Sequence, residues 1–450
     1  MLIKAVVDNF LSFNKETELT MIPSNKTRKI PEHKITVKST SVLKYAVIYG
    51  ANASGKSNLI EVFRFIKYCV EKAVPAEATD KFCKVSECNS NRASLFELQF
   101  TIDEKFYAYG FSLMLNTRTI ESEWLYELYQ NGAQKTLFER KKGEKPVIGA
   151  EVSLTKSDKA KIMTYLEDYD ENSSSLFLTV MNRGKKYAAD SKITFFKEIY
   201  QWISKNLIVV IPDTSLRSFE YYYDNASLNL INDLIKTFDT GITEINIVEI
   251  SMDELSKELP KPIFDDITEN IKEKSEDERN IEFKISMRSD RSFFNIEVKK
   301  GQEPKITTIS LKHGESFYNF KYEEESDGTR RLFDLLDMLL NKSEDTVYIV
   351  DEIERSLHPK LTSRFIKLFG KIHNSQNMQL IFTTHESSIM DQELFRRDEI
   401  WFVERNKENV SSVYSLDKFK ERYDKKLSKA YLEGRYGAIP VFTAFKFKGE

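Results

Sequence analysis

Gly50-Ala51-Asn52-Ala53-Ser54-Gly55-Lys56-Ser57 spells G-x-x-x-x-G-K-S, a spacing suited to holding a phosphate chain. Glycines let backbone N–H groups curl around a phosphate with no Cβ in the way. The lysine reaches the β- and γ-phosphates, and the serine hydroxyl can ligate Mg²⁺. Gly50, Asn52, Ser54, Gly55, Lys56, Ser57 and the following Asn58 are therefore the candidate ATP contacts. Far downstream, the apolar run Val347-Tyr-Ile-Val350 ends in Asp351-Glu352. A carboxylate at a strand end can share the metal with Ser57, which assigns Asp351 to Mg²⁺. The next carboxylate, Glu352, can polarise an attacking water as general base. His385 closes the following apolar run, Gln379 to Thr384, where a neutral imidazole can meet the γ-phosphate or the water. Ser326-Asp327-Gly328-Thr329 opens a helical pattern. That is an ordinary helix cap, and the same backbone end attracts anions, so Ser326 and Gly328 are second-lobe candidates for phosphate contact. If Ser57 and Ser326 do not reach one nucleotide within a chain, a second copy must complete the site.

These residues need a frame that brings strand ends together. The loop follows the apolar run Tyr45 to Tyr49 and precedes a helical pattern from about Asn58 to Ala73. Residues 2–7 and 17–22 read as strands, and 23–40, with Pro23 and Pro31, as loop. Residues 95–102 and 106–115 form a hairpin turned at Asp103-Glu104-Lys105, and 120–129 and 135–140 continue the meander. Helical spacing marks 157–179, 194–205, 227–238 and 253–274, and strand patterns return at 281–287, 293–299 and 305–311. From residue 328 strand and helix alternate: helices over 329–340 and 359–371, strands at 347–350, 379–384 and 398–404. That alternation predicts a mostly parallel sheet with helices on its faces. No heptad pattern is sustained, which excludes a long coiled coil. The expected segments are 1–150 as N-terminal lobe, 151–310 as an inserted, mainly helical arm with strands, and 311–450 as C-terminal lobe.

Composition narrows the class. Charged residues make up 30% and hydrophobic residues 41%, a globular balance, and a net charge of −3 gives no global pull on nucleic acid or membrane. Three cysteines, Cys69, Cys83 and Cys88, lack zinc-site spacing and leave an odd thiol, so a reducing cytoplasm is the expected location. No apolar run approaches the roughly 20 residues of a membrane span. Short basic runs such as Arg140-Lys141-Lys142 and Lys185-Lys186 do not settle the matter and leave nucleic acid open as a partner.

Several of these motifs together resemble the ABC-type ATPase heads of the SMC, RecF and OLD groups. The resemblance lies in Gly50-x-Asn52-x-x-Gly55-Lys56-Ser57-Asn58, in the opening Ile3 to Asn9-Phe10-x-Ser12-Phe13, in Glu325 to Thr329, in Glu354-Arg-Ser-Leu-His-Pro359, and in His385. Thr329 stands where ABC transporters commonly have glutamine. Thr384 to Asp391, Arg396 to Trp401 and Gly434 to Pro440 make the chain most similar to RloA-like ATPases of prokaryotic defence loci. The resemblance covers about residues 1–130 and 310–450. It implies a P-loop head of mixed antiparallel and parallel sheets with flanking helices and an inserted α+β arm. It also implies a homodimer closing on two ATPs, with the loop of one subunit facing Ser326 and Gly328 of the other. Gln99 is the glutamine with strand context that could serve as the family's glutamine loop, or it could simply face the sheet.

Three activities follow as alternatives. The first is an ATP-hydrolysing switch that controls a separate effector, a nuclease or toxin, in phage defence. The second is a RecF-like repair ATPase that binds DNA, and the third is an ATP-bound scaffold with little turnover. Arg28-x4-His33 lies in a proline loop and does not make an RNase site. Asp266 with Glu282 and Lys284 is a commonplace acid–lysine pattern in so charged a chain. The 65 residues after His385 leave no room for an appended nuclease, so any such activity is expected on another chain.

Overall fold

The computed structural model describes residues 1–167, 174–212, 222, 225–276, 282–288, 293–299, 301–419 and 426–440. The chain divides into two compact units. The first comprises Met1–Ile211, Ser343–Ile353 and His373–Glu450. The second comprises Pro212–Lys342 and Glu354–Ile372.

The first unit holds a six-stranded sheet in the order Leu207–Val210, Val347–Val350, Gln379–Thr383, Tyr45–Tyr49, Ile400–Arg405, Ser411–Ser415. The first five strands run parallel and the last is antiparallel. The three strands Val347–Val350, Gln379–Thr383 and Tyr45–Tyr49 are buried at every residue, which is why they read as unbroken apolar runs. Because they are parallel and adjacent, their C-terminal ends emerge along one edge. Gly50 leaves the Tyr45–Tyr49 strand at that edge, Asp351 leaves the next but one, and Thr384 leaves the strand between them.

A seven-stranded antiparallel sheet completes this unit, running from Val147–Ile148 through the Gln134–Lys141, Thr119–Leu128, Lys105–Met114 and Ser94–Ile102 strands to Leu2–Asp8 and Thr17–Thr20. Its central hairpin turns at Asp103 and Glu104, both at positive φ (46° and 63°), as a two-residue turn of this twist requires. The Lys56–Glu71 helix packs Leu59, Ile60, Phe63, Ile66 and Val70 into the same core, at i, i+3, i+4 spacing. Each such side chain contributes on the order of 1.5–3 kcal/mol by burial. One amide joins the two sheets: Gln379 Oε1 accepts from Leu2 N (2.6 Å), and its Nε2 donates to Leu2 O and Leu43 O (both 2.9 Å).

The second unit is α+β. A sheet of Ile242–Ile250, Lys305–His313, Phe293–Lys299 and Glu282–Arg288 carries the short Phe320–Lys321 strand against Lys305–His313. The Asn225–Lys236, Met252–Glu258, Lys261–Glu276, Asp327–Leu340 and Pro359–Ile372 helices belong to this unit. No described helix exceeds 16 residues, in line with the absence of heptads. None is long and apolar enough to cross a membrane.

The mixed architecture is the expected one, with local corrections. Residues 34–37 and 40–43 pair as a small hairpin, whose first strand and turn fall within the expected 23–40 loop. Leu207–Val210 and Ile242–Ile250 are strands outside the expected set; both are β-branched runs lying directly after or before helical patterns. The helix expected over 253–274 breaks at Leu259-Pro260 into two, because proline cannot supply the interior N–H. The 157–179 helix is seen as Lys156–Glu167 and Phe177–Asn182, with 168–173 outside the described residues. The last parallel strand starts at Ile400, after a 3₁₀ turn at Arg397–Glu399. That turn accounts for the first four residues of the Arg396 to Trp401 motif. Arg396 is fully buried, pairs with Asp398, and donates to the carbonyls of Thr27 and Lys29, so the motif anchors the 24–33 loop. The Gly434 to Pro440 stretch is packing too. Tyr436 sits in a cluster with Phe402, Phe419 and Tyr414, and Ala438 N donates to Glu404.

Candidate nucleotide site

At the shared strand edge of the first unit lies a cavity of about 470 Å³, lined by Asn52 to Asn58, Glu352, His385 and Arg405. Asn52, Ser54, Gly55, Lys56, Ser57 and Asn58 thus come together with Glu352 and His385, as their spacing suggested. Gly50 forms the base of the loop: a Cβ there would press on Val403 O and Ser54 Oγ.

The loop is held from beneath by serines. Ser411 Oγ donates to Ser54 O (2.6 Å) and lies 2.8 Å from Ser12 Oγ. Ser411 N donates to Ser12 O (2.8 Å), and Asn58 Nδ2 donates to Ser12 Oγ (2.8 Å). Gly55 closes the turn at φ +109°, where a side chain would be strained and its Cβ would run into Ser411 and Ser12. Lys56 is the first residue of the helix and is buried at 5% exposure. Its Nζ donates to Gly50 O (2.8 Å) and Ala51 O (3.0 Å), so the ammonium is fixed inside the loop.

Across the cavity, Lys56 Nζ stands 3.5 Å from His385 Nδ1, and His385 Nε2 stands 3.6 Å from Glu352 Oε1. An ammonium can only donate, so an imidazole that accepts from Lys56 at Nδ1 would present Nε2–H on the side of the carboxylate. Glu352 and His385 are each 38% exposed, which leaves both open to water and ligand. Glu352 adopts φ 49°, a left-handed backbone rare for such a residue. Its N–H donates to Thr383 Oγ1 (2.8 Å).

Asp351 is buried, 5% exposed, and accepts from Thr383 Oγ1 (2.5 Å). Among the described residues it has no cationic partner. A buried carboxylate without a counter-charge is costly, and a divalent ion beside it removes that cost. Ser57 is exposed at the cavity and supplies a hydroxyl of the right hardness. Both are hard oxygen donors of the kind Mg²⁺ takes, and Asp351 stands outside the residues that line the cavity.

Ser326 and Gly328 belong to the second unit. Ser326 caps the Asp327–Leu340 helix, its Oγ accepting from Thr329 N (3.1 Å), and is exposed. Gly328 has no room for a side chain, since a Cβ would lie 2.5 Å from Ser356 O. Gln99 lies on the antiparallel sheet, its amide bound to Glu97 (2.9 Å), and does not line the cavity.

Three contributors escape sequence reasoning. Arg405 ends the Ile400–Arg405 strand and donates to Ala53 O (3.3 Å), placing a second cation at the loop. Ser411 and Thr383 act only through tertiary contacts. The one signal for Arg405 and Ser411 is position, at the end of an expected parallel strand and just after it.

No curated protein is significantly similar to the chain in sequence. Among solved structures, the SMC head bound to the C-terminal winged-helix domain of ScpA aligns at TM-score 0.39 and 17% identity, over 92% of this chain and 97% of that one. The SMC head domain from Thermotoga maritima aligns at TM-score 0.36 and 15% identity, over 92% and 98%. Likenesses at this level carry no weight for function. A family model described as "AAA domain, putative AbiEii toxin, Type IV TA system" matches residues 46–391, a span that opens on the strand before the phosphate loop and closes just past His385. With most of its length inside that match, the chain belongs to this AAA-domain family of P-loop nucleotide-binding ATPases.

Proposed function

We propose that the protein binds and hydrolyses ATP with Mg²⁺, dimerises around the nucleotide, and serves as the switch subunit of a prokaryotic defence complex that controls a separate effector. The observation that carries the reading is the row Lys56, His385, Glu352 across one cavity, with Asp351 buried behind it. Lys56, Asn52, Ser54, Gly55 and Asn58 bind and orient the phosphates, and Ser57 and Asp351 hold the metal. When bound, Mg²⁺ neutralises charge on the phosphate oxygens. Glu352 takes the proton of the attacking water, and His385 orients that carboxylate through Nε2–H while sensing the end of the phosphate chain. Ser326 and Gly328, at an exposed helix N-terminus, are suited to receive the phosphates of a nucleotide held by another copy. The family description names a toxin of a toxin–antitoxin system, which supports a place in genetic conflict.

Replacing Glu352 by Gln tests the reading. The expected result is loss of turnover, with ATP trapping a dimer measured by light scattering. Turnover at the wild-type rate sinks it. Slow turnover in the wild type itself, with ATP-dependent assembly retained, favours the scaffold.

A further inference from the structure

Thr383 ends the Gln379–Thr383 strand and is fully buried. Its hydroxyl donates to Asp351 Oδ1 at 2.5 Å and accepts from Glu352 N–H at 2.8 Å, while its carbonyl accepts from Ile353 N–H at 3.2 Å. One residue therefore pins three consecutive residues of the acidic turn. The polarity of the bridge is forced. An N–H can only donate and a carboxylate can only accept, so the hydroxyl proton has one place to go. Glu352 holds a left-handed backbone (φ 49°), and strain of that kind survives only where neighbours fix it. The N–H bond from Glu352 to Thr383 does that fixing.

We propose that Thr383 is a positioning residue that sets both acids at once: the carboxylate that meets the metal and the carboxylate that meets the water. The inference rests on the roles proposed above for Asp351 and Glu352. Because the two acids share one hydroxyl, disturbing it moves metal affinity and turnover together, whereas loss of a packing contact moves neither without loss of fold.

The test compares Thr383→Val, which removes the hydroxyl at nearly constant shape, with Thr383→Ser, which keeps it. Measured quantities are ATP turnover, the affinity of a fluorescent ATP analogue with and without Mg²⁺, and the thermal midpoint. For Thr383→Val the expected result is a turnover loss on the order of 30-fold or more. Its metal-free analogue affinity stays within about threefold of wild type, and the Mg²⁺ needed for half-maximal affinity rises about fivefold or more, as for loss of a bond that orients a metal ligand. Thr383→Ser stays near wild type in all three. Thr383→Val turning over normally while Glu352→Gln is inactive overturns the inference and spares the proposed function. Normal turnover in Glu352→Gln overturns the proposed function instead. Equal damage from Val and Ser assigns Thr383 to packing and also overturns the inference. Should Thr383→Val not fold, Thr383→Ala is read by the same metal-dependence, with metal-free analogue binding marking an intact loop.

Discussion

His385 Nε2 faces the Glu352 carboxylate across 3.6 Å while the other ring nitrogen faces Lys56. The imidazole thus reports on the phosphate loop and on the acid at the same time. His385→Ala is expected to lower turnover on the order of 100-fold. The dissociation constant for ATP should move by less than about fivefold, since Lys56 keeps its bonds to Gly50 and Ala51. Rapid-quench and equilibrium binding measurements separate the two effects.

Gly55→Ala should abolish the loop itself. Its φ of +109° strains any side chain, and the new methyl meets Ser411 and Ser12. A cost of about 1–3 kcal/mol in stability is expected, with nucleotide binding lost by calorimetry. Ser411→Ala, which removes only the side-chain bonds to Ser12 and Ser54, should weaken binding without unfolding the protein.

Much of the site is legible in the chain alone. The loop, Asp351-Glu352 and His385 all sit at the ends of apolar runs, and parallel strands bring such ends to one edge. Backbone direction therefore convenes them. Ser411 and Thr383 are different in kind. Each is a small hydroxyl residue whose role comes from which strand happens to lie beside it, and strand order is not written in local pattern. The Leu207–Val210 strand is hidden for a related reason: four apolar residues after a helix cannot be told from its last turn by periodicity.

Arg405 offers a test of the second cation at the loop. Arg405→Ala is expected to weaken ATP binding about tenfold, about 1.4 kcal/mol, and to flatten its salt dependence. Arg405→Lys should restore only part, because a single ammonium cannot reach both Ala53 O and Asn409 O.

Asp158 supplies a pH prediction unconnected with the site. Burial opposes its ionisation, but bonds from Ser191 Oγ, Lys192 N and Thr155 N outweigh that and hold its carboxyl down at about 2. A lowered carboxylate stabilises the fold above its unfolded value and loses that contribution as pH falls through the folded one. Asp158→Asn should therefore cost about 2 kcal/mol at pH 7. The gap between mutant and wild type should close between about pH 4 and pH 2 in urea titrations.

Shared sites can be tested by mixing. Lys56→Ala and a Ser326→Arg variant should each be inactive alone. Combined in equal amounts, they should regain roughly a quarter of wild-type turnover if the loop of one copy works with Ser326 of another, because about half of randomly formed dimers are mixed and each mixed dimer carries one intact site of its two. No recovery would count against the dimer.

The amide of Gln379 that sutures Leu2 and Leu43 has a consequence for synthesis. It joins positions 377 residues apart, so the first strand emerges long before its tie exists. At about 5–20 residues per second, the ribosome leaves that strand waiting for about 20–75 s. The nascent antiparallel sheet must stay soluble with an unclosed flank throughout, and the phosphate loop gains its bond from Ser411 only once synthesis has passed that residue.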